Sequence, residues 1–267
     1  MDDLTFGHAR RRRHMRRLLH ELDRLDADRR TTGPIPERVR TVLVVLGTAG
    51  LVTGAVVLTH GSPLGRPPDV TAGLGSFRFT EHQPGHSDRP VAYDPCQPIE
   101  ILVNDSKAPD GSDHLFQDAL DEVSAATGLV LHVKDRTDDQ IRSYGQSGRF
   151  NFVLVDWTSP QDEPGLAGDV AGLGGSTAVD EGAGGRHYVG GTVALDTPAL
   201  AEILGHPDGD AHVEAIIMHE LGHLVGLDHV DDPDELMYHD NLGLTEFGPG
   251  DREGLAKLGS GRCFPGL

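Results

Sequence analysis

The stretch HELGHLVGLDH, His219 to His229, restricts what this chain can fold into more than any other eleven residues in it. Residues Ala211 to Val225 read as one long helix, so His219 and His223 project from the same face, one turn apart. Two imidazoles at that separation can share a tetrahedral metal ion, and Glu220 beside them can reach a water on the ion rather than the ion itself. His229 lies ten residues past His219, about 280° further round a continuing helix, and cannot join them unless the helix stops. Gly226 stands where the stop is needed, because glycine takes the left-handed backbone that ends helices.

Charge divides the chain. Residues 1–40 carry 11 arginines against seven acidic groups, yet the whole chain has a net charge of -19, so everything beyond the head is strongly acidic. A body of that sign excludes nucleic acid as a partner, since binding the phosphate backbone needs clustered Lys and Arg. Between head and body, TVLVVLGTAGLVTGAVVLT contains no charged residue over 19 positions. As a helix it would run about 28 Å, close to the hydrocarbon thickness of a bilayer. Arginines crowd its N-terminal side, and the first basic residue after it is Arg66. The positive-inside rule then puts the N-terminus in the cytoplasm and the acidic body outside the cell membrane. A cleaved signal peptide fits less well, because its charged n-region would span the whole head and no A-x-A site follows. The two cysteines, Cys96 and Cys263, both fall on the outer side, where an oxidising compartment would let them pair and tie the start of the body to its end.

These features divide the chain into a basic cytoplasmic segment (1–40), a transmembrane helix (41–60), a flexible linker rich in Pro, Gly and Ser (61–90) and a folded domain (91–267). Leu18, Leu19, Leu22 and Leu25 give the head a short amphipathic helix. Within the body, PIEILVN alternates as a strand, Ser112 to Thr127 reads as an amphipathic helix stopped by Gly128, and LVLHV and FNFVLVDW read as further strands. A Gly-rich loop, AGLGGSTAVDEGAGG, precedes a strand at HYVGGTVALD, and Asp251 caps a last helix, REGLAKL. Strands and helices mix without a regular βαβ period, so the fold class is α+β.

Met237 follows His229 by eight residues in HVDDPDELMY. With the motif upstream, this resembles the metzincin metalloproteases, whose third histidine is followed by a methionine turn beneath the metal. The wording is most similar to the matrixin branch, H-S-x-D-P-x-A-L-M-Y, and GDREGLAKLG resembles the matrixin final helix, with Asp251 and Gly254 at matching places. The likeness covers roughly Val91 to Leu258 and is strongest from Val189 onward. It implies a metzincin-like zinc protease domain, a twisted mixed sheet with a long active-site helix. His219, His223 and His229 would hold one catalytic zinc ion, Glu220 would act as general base, and Gly226 and Met237 would shape the site. Gly174 and Gly175 look like the start of the edge strand on which a substrate peptide would lie.

The chain departs from the matrixin pattern in three places. No P-R-C-G segment is present, Ala194 stands where a second, structural zinc would find a histidine, and His239 replaces the usual proline after Tyr238. Asp162, Glu163, Asp169, Asp180 and Glu181 offer oxygen ligands for calcium around the Gly-rich segment, although solvated acidic loops explain them equally well. The function implied is a membrane-anchored zinc endopeptidase in which Glu220 takes a proton from a zinc-activated water and passes it to the leaving amine. The alternatives are a catalytically silent surface module for metal binding or adhesion, and a zinc amidase acting on a cell-wall polymer.

Overall fold

The computed structural model describes residues 63–144, 151–180, 185–239 and 243–264. The expected cytoplasmic segment and the expected span at 41–60 lie outside these residues. Among the described residues no helix is long and apolar enough to cross a membrane. In chain order the elements are β1 (Arg78–Phe79), β2 (His82–Gln83), β3 (His86–Pro90), β4 (Ile99–Asn104), α1 (Ser112–Thr127), β5 (Leu131–Arg136), α2 (Ile141–Tyr144), β6 (Val153–Thr158), β7 (Gly172–Asp180), β8 (Arg186–Asp196), α3 (Thr197–Leu204), α4 (Gly209–Val225), β9 (Leu227–Asp228) and α5 (Pro249–Gly259).

Five strands form the main sheet in the order β5-β4-β6-β8-β7. The first four run parallel, and β7 closes the edge antiparallel to β8. All six residues of β6 are buried, as expected for a central strand of a parallel sheet covered on both faces. Helix α1 makes the crossover from β4 to β5 and buries Leu115, Phe116, Ala119, Leu120, Val123 and Ala126. It stops where the sequence says it should: Gly128 adopts φ 76° and its N–H returns to the Ser124 carbonyl. One continuous core joins α1, the sheet, α4 and α5, with Trp157, Ile216, Ile217, Leu221 and Leu224 almost fully enclosed.

Three expectations need correcting. The Gly-rich segment is no loop over Gly172–Asp180, because β8 supplies a strand to pair with and thereby overrides the weak strand preference of glycine. Asp251 does not cap α5 from outside; Gly248 is the N-cap, and the Asp251 carboxylate sits within the first turn, accepting the Gly248 N–H at 3.1 Å. The expected linker, over its described residues 63–90, is no free tether either, and folded structure starts well before Val91. Residues 78–79 pair with 227–228, β2 and β3 form a hairpin, and Leu64 N–H already bonds the Pro95 carbonyl at 2.8 Å. Its proline and glycine set turns rather than freedom: Pro84 and Gly85 (φ 75°) turn the hairpin. Phe79 is buried in the main core.

The two ends of the domain are joined. Cys96 and Cys263 form a disulfide with Cα atoms 5.4 Å apart. Asp94 reinforces the join by accepting N–H bonds from Cys96 at 2.8 Å and Phe264 at 3.1 Å, and the Phe264 ring stacks on buried His187.

A second junction lies at the start of α5, where two buried carboxyl side chains meet. Glu235 accepts the N–H groups of Gly250 at 2.8 Å, Asp251 at 2.9 Å and Ser76 at 3.2 Å. Asp251 accepts those of Leu236 at 2.5 Å, Gly248 at 3.1 Å and Met237 at 3.4 Å. Together they fasten the N-terminal segment and the 235–238 turn to one helix end, where backbone N–H groups are otherwise orphaned. Burial, with the neighbouring Glu235 second, pushes the Asp251 carboxyl up to about 7. A carboxyl raised in the folded state binds its proton more tightly than in the unfolded chain. Its contribution is fully present below about pH 4, the unfolded value, and is lost as pH rises through about 7. Urea unfolding of the wild type and Asp251→Asn across this range should show the wild type losing stability relative to the variant as pH rises. A difference that stays flat from pH 4 to 8 would contradict the assignment.

Candidate metal centre

Helix α4 delivers the first two histidines and is almost entirely buried around them. Gly226 ends the helix at φ 122°, a backbone that residues with a side chain rarely adopt, and its N–H closes onto the Gly222 and His223 carbonyls. Added bulk would also meet Leu258 and Tyr188 at about 3 Å. The two residues of β9 then carry the chain back, and His229 follows with its own N–H held by the Asp228 carboxylate at 2.9 Å.

The three expected ligands converge. Their Nε2 atoms stand 3.0 Å (His219 to His229), 3.1 Å (His223 to His219) and 3.1 Å (His223 to His229) apart. Nδ1 of His219 faces the Leu236 carbonyl at 2.9 Å, and Nδ1 of His223 faces the Leu227 carbonyl at 2.9 Å. A carbonyl oxygen only accepts, so both Nδ1 atoms carry the proton and both Nε2 atoms present lone pairs. These lone pairs point into one space and cannot hydrogen-bond each other, whereas a cation would relieve their repulsion. Three nitrogens on a tetrahedral zinc ion lie roughly 3.3 Å apart, so the spacing fits with little adjustment. Burial, and His223 after it, push the His219 imidazole down to about 3, which keeps it in the neutral form that a metal ligand needs.

Met237 is buried directly beneath the pair. A Cβ at Gly222, between His219 and His223, would come within 2.7 Å of the Met237 sulfur. The turn that carries Met237 is closed by Val230 N–H to the Met237 carbonyl at 3.0 Å and Tyr238 N–H to Glu235 at 3.1 Å. Glu220 is also buried, with its side chain against Gly172 of β7. His239 sits with its ring 4.3 Å from that of Tyr238 and its Nδ1 3.7 Å from the Asp231 carboxylate.

Two of the carboxylates considered for calcium are engaged elsewhere. Asp162 pairs with Lys107 at 2.5 Å and Arg142 at 3.5 Å, and Glu163 accepts the Gly165 N–H at 3.0 Å; Glu181 lies outside the described residues. Among the described residues, potential ligands gather in threes only at the histidine triad and at Asp94 with the disulfide sulfurs.

Residues 116–246 match the family model of the matrixin peptidases (Peptidase_M10). The folded body is a metzincin-like domain. Its function is of the zinc metallopeptidase type, and the triad is its candidate zinc site. Among solved structures the metzincin-like domain is similar to archaemetzincin from Methanopyrus kandleri, at 16% identity over 60% of this chain and 95% of that one, with a TM-score of 0.40. It is also similar to the GM1-bound form of the ECX AB5 holotoxin (13% identity, 62% and 81% coverage, TM-score 0.36). A third is the zinc-dependent peptidase of Methanocorpusculum labreanum (16% identity, 59% and 99% coverage, TM-score 0.33). Among the curated proteins none matches the chain.

Several contributors to the site were not read from the sequence. Gly222 could have been, since a glycine inside a helix costs about 1 kcal/mol relative to alanine and so signals a close approach. Thr80 could not. Its N–H bonds the Gly226 carbonyl at 2.9 Å, and its hydroxyl donates at 3.0 Å to the same Leu227 carbonyl that orients His223. No local pattern announces a partner 147 residues away. Groups that orient metal ligands typically change affinity 10- to 100-fold when altered. Thr80→Pro, which removes the N–H, should therefore weaken zinc binding by about tenfold in competition with a chelator. His229→Ala, which removes a candidate ligand, should weaken it far more; equal affinity of Thr80→Pro and wild type would show that Thr80 does not position the site.

Proposed function

We propose that the chain is a zinc-dependent endopeptidase tethered to the outer face of a membrane, with His219, His223 and His229 as zinc ligands and Glu220 as general base. The observation that carries this reading is the convergence of the three Nε2 atoms beside a glutamate buried on a helix packed against the edge strand of the sheet. A zinc ion held there would supply Lewis acidity, polarising a scissile carbonyl and acidifying the attacking water. Glu220 takes the proton from that water and returns it to the amine nitrogen as the peptide bond breaks. The Leu236 and Leu227 carbonyls keep His219 and His223 in the ligating tautomer, and Gly226 and Met237 hold the turn that brings His229 round.

Among the described residues β7 is the last strand of the sheet, and its outer edge is suited to an extended peptide, which would add a sixth strand through backbone hydrogen bonds. Sequence-tolerant backbone pairing of this sort favours an endopeptidase over an enzyme for a single small amide. Arginines on one side of the uncharged stretch 41–59 support a cytoplasmic head and an external domain.

Two measurements test the two halves of the proposal. Glu220→Gln should retain one zinc while cleavage of an unfolded protein falls on the order of 10²- to 10⁴-fold, the range that general acid–base groups contribute; wild-type turnover in that variant would sink the mechanism. In intact cells making the full chain, protease added outside should digest the domain and spare a tag at residue 1. A protected domain would reverse the topology.

A further inference from the structure

The edge strand β7 lies unusually close to α4. Alternate residues of the strand, Gly172, Gly174 and Ser176, face the helix: the Ser176 hydroxyl donates to the Leu224 carbonyl, and a Cβ on Gly174 would run into the Glu220 carbonyl oxygen. At Gly174 the obstacle is backbone, so glycine there sets the distance between strand and helix. Gly172 differs. The three atoms nearest to a Cβ placed on it are Cγ, Cδ and Oε1 of Glu220, at 2.6, 2.9 and 2.9 Å. Its φ lies outside the left-handed region, so the backbone itself does not require glycine at this position. What excludes a side chain at 172 is the Glu220 side chain.

We propose that Gly172 is the positioning residue for the Glu220 carboxyl group: the bare backbone at 172 is the floor on which that side chain rests. The inference rests on the general-base reading and deepens it. Glu220 has three rotatable bonds and is enclosed in the core, so its carboxyl position is decided by what surrounds the last two carbons. A flat glycine surface at van der Waals range selects one placement. A methyl group there, closer than 3 Å to three atoms of the side chain, forces the carboxyl group to move, and the flexible end of a glutamate moves more readily than a strand or a helix. Proton transfer demands that the base stay within hydrogen-bond reach of the water it deprotonates, and a misplacement of about 1 Å at a catalytic group can lower the rate on the order of 10²-fold. The same strand would thus do two things at once, offering its outer edge to the substrate and its inner face to the base, which couples substrate register to carboxyl position.

The test is Gly172→Ala in the zinc-loaded full chain, beside Glu220→Gln and the double variant. The expected result is a fall in kcat on the order of 10²-fold with KM within about threefold of wild type. One zinc should be retained at wild-type affinity by chelator competition, the melting temperature should be unchanged, and a crystal structure should show the Glu220 carboxyl group displaced. Because the glycine acts through Glu220, adding Gly172→Ala to Glu220→Gln should cost less than about threefold more. If Gly172→Ala turns over like wild type while Glu220→Gln is inactive, the positioning role is overturned and the base assignment stands. If Gly172→Ala loses zinc or unfolds, or if the two losses multiply, the glycine is a packing residue only and the proposal falls. If Glu220→Gln itself remains active, it is the general-base reading that fails.

Discussion

Two of the three imidazole Nε2 atoms that meet at 3.0 to 3.1 Å, those of His219 and His223, carry lone pairs that repel each other. The surrounding fold must therefore impose this arrangement, and much of the domain can be understood as the means of doing so. Helix α4 fixes two of the three by its pitch. The third depends on a helix end with φ 122°, a two-residue strand and a closed turn, each of them held by partners distant in the chain. The Leu236 and Leu227 carbonyls decide the tautomers of His219 and His223, so these two rings meet through nitrogens carrying lone pairs. A cation converts this repulsion into attraction, and burial keeps the ring of His219 neutral until one arrives.

The support behind the triad is layered. Beneath it, the Met237 thioether fills the space left by Gly222, and Met237 is fixed by a turn whose N–H groups end on Asp251. Asp251 and Glu235 share the start of α5 and reach back to Ser76, while β1 crosses beside β9. The N-terminal segment therefore touches the site from two directions, and it is hydrogen-bonded both to the strand leading into His229 and to the turn that packs on the last helix. Such over-determination keeps ligands within the small tolerance that a metal site allows, at the cost of burying two carboxyl groups side by side.

Legibility followed the range of the interaction. Helix α1 could be read residue by residue, because its stripe of apolar positions and its Gly128 stop are local signals. The same holds for α4 and for the histidine spacing, which is a statement about helical pitch. β7 was not legible as a strand along its length, since glycine has little strand preference and the segment is a strand only because β8 pairs with it. The stretch 61–90 misled for a related reason. Proline and glycine mark turns and flexible tethers alike, and the difference lies in whether distant residues such as Gly226 and Pro95 accept the N–H groups in between. Asp251 looked like a cap by its place before REGLAKL; its actual role needed Glu235 beside it, sixteen residues earlier in the chain.

By itself the sequence determined the candidate ligand types, their helical spacing, the break at Gly226 and the helix that carries the first two, because periodicity and backbone preference act within a few residues. It also determined the charge asymmetry from which the topology is proposed. Only the tertiary structure decided that three Nε2 atoms meet in one space, that β1 pairs with the strand leading into His229, and that Glu220 lies on Gly172. Those outcomes depend on atoms far apart in the chain meeting at a few ångströms, and packing rather than local preference sets such distances.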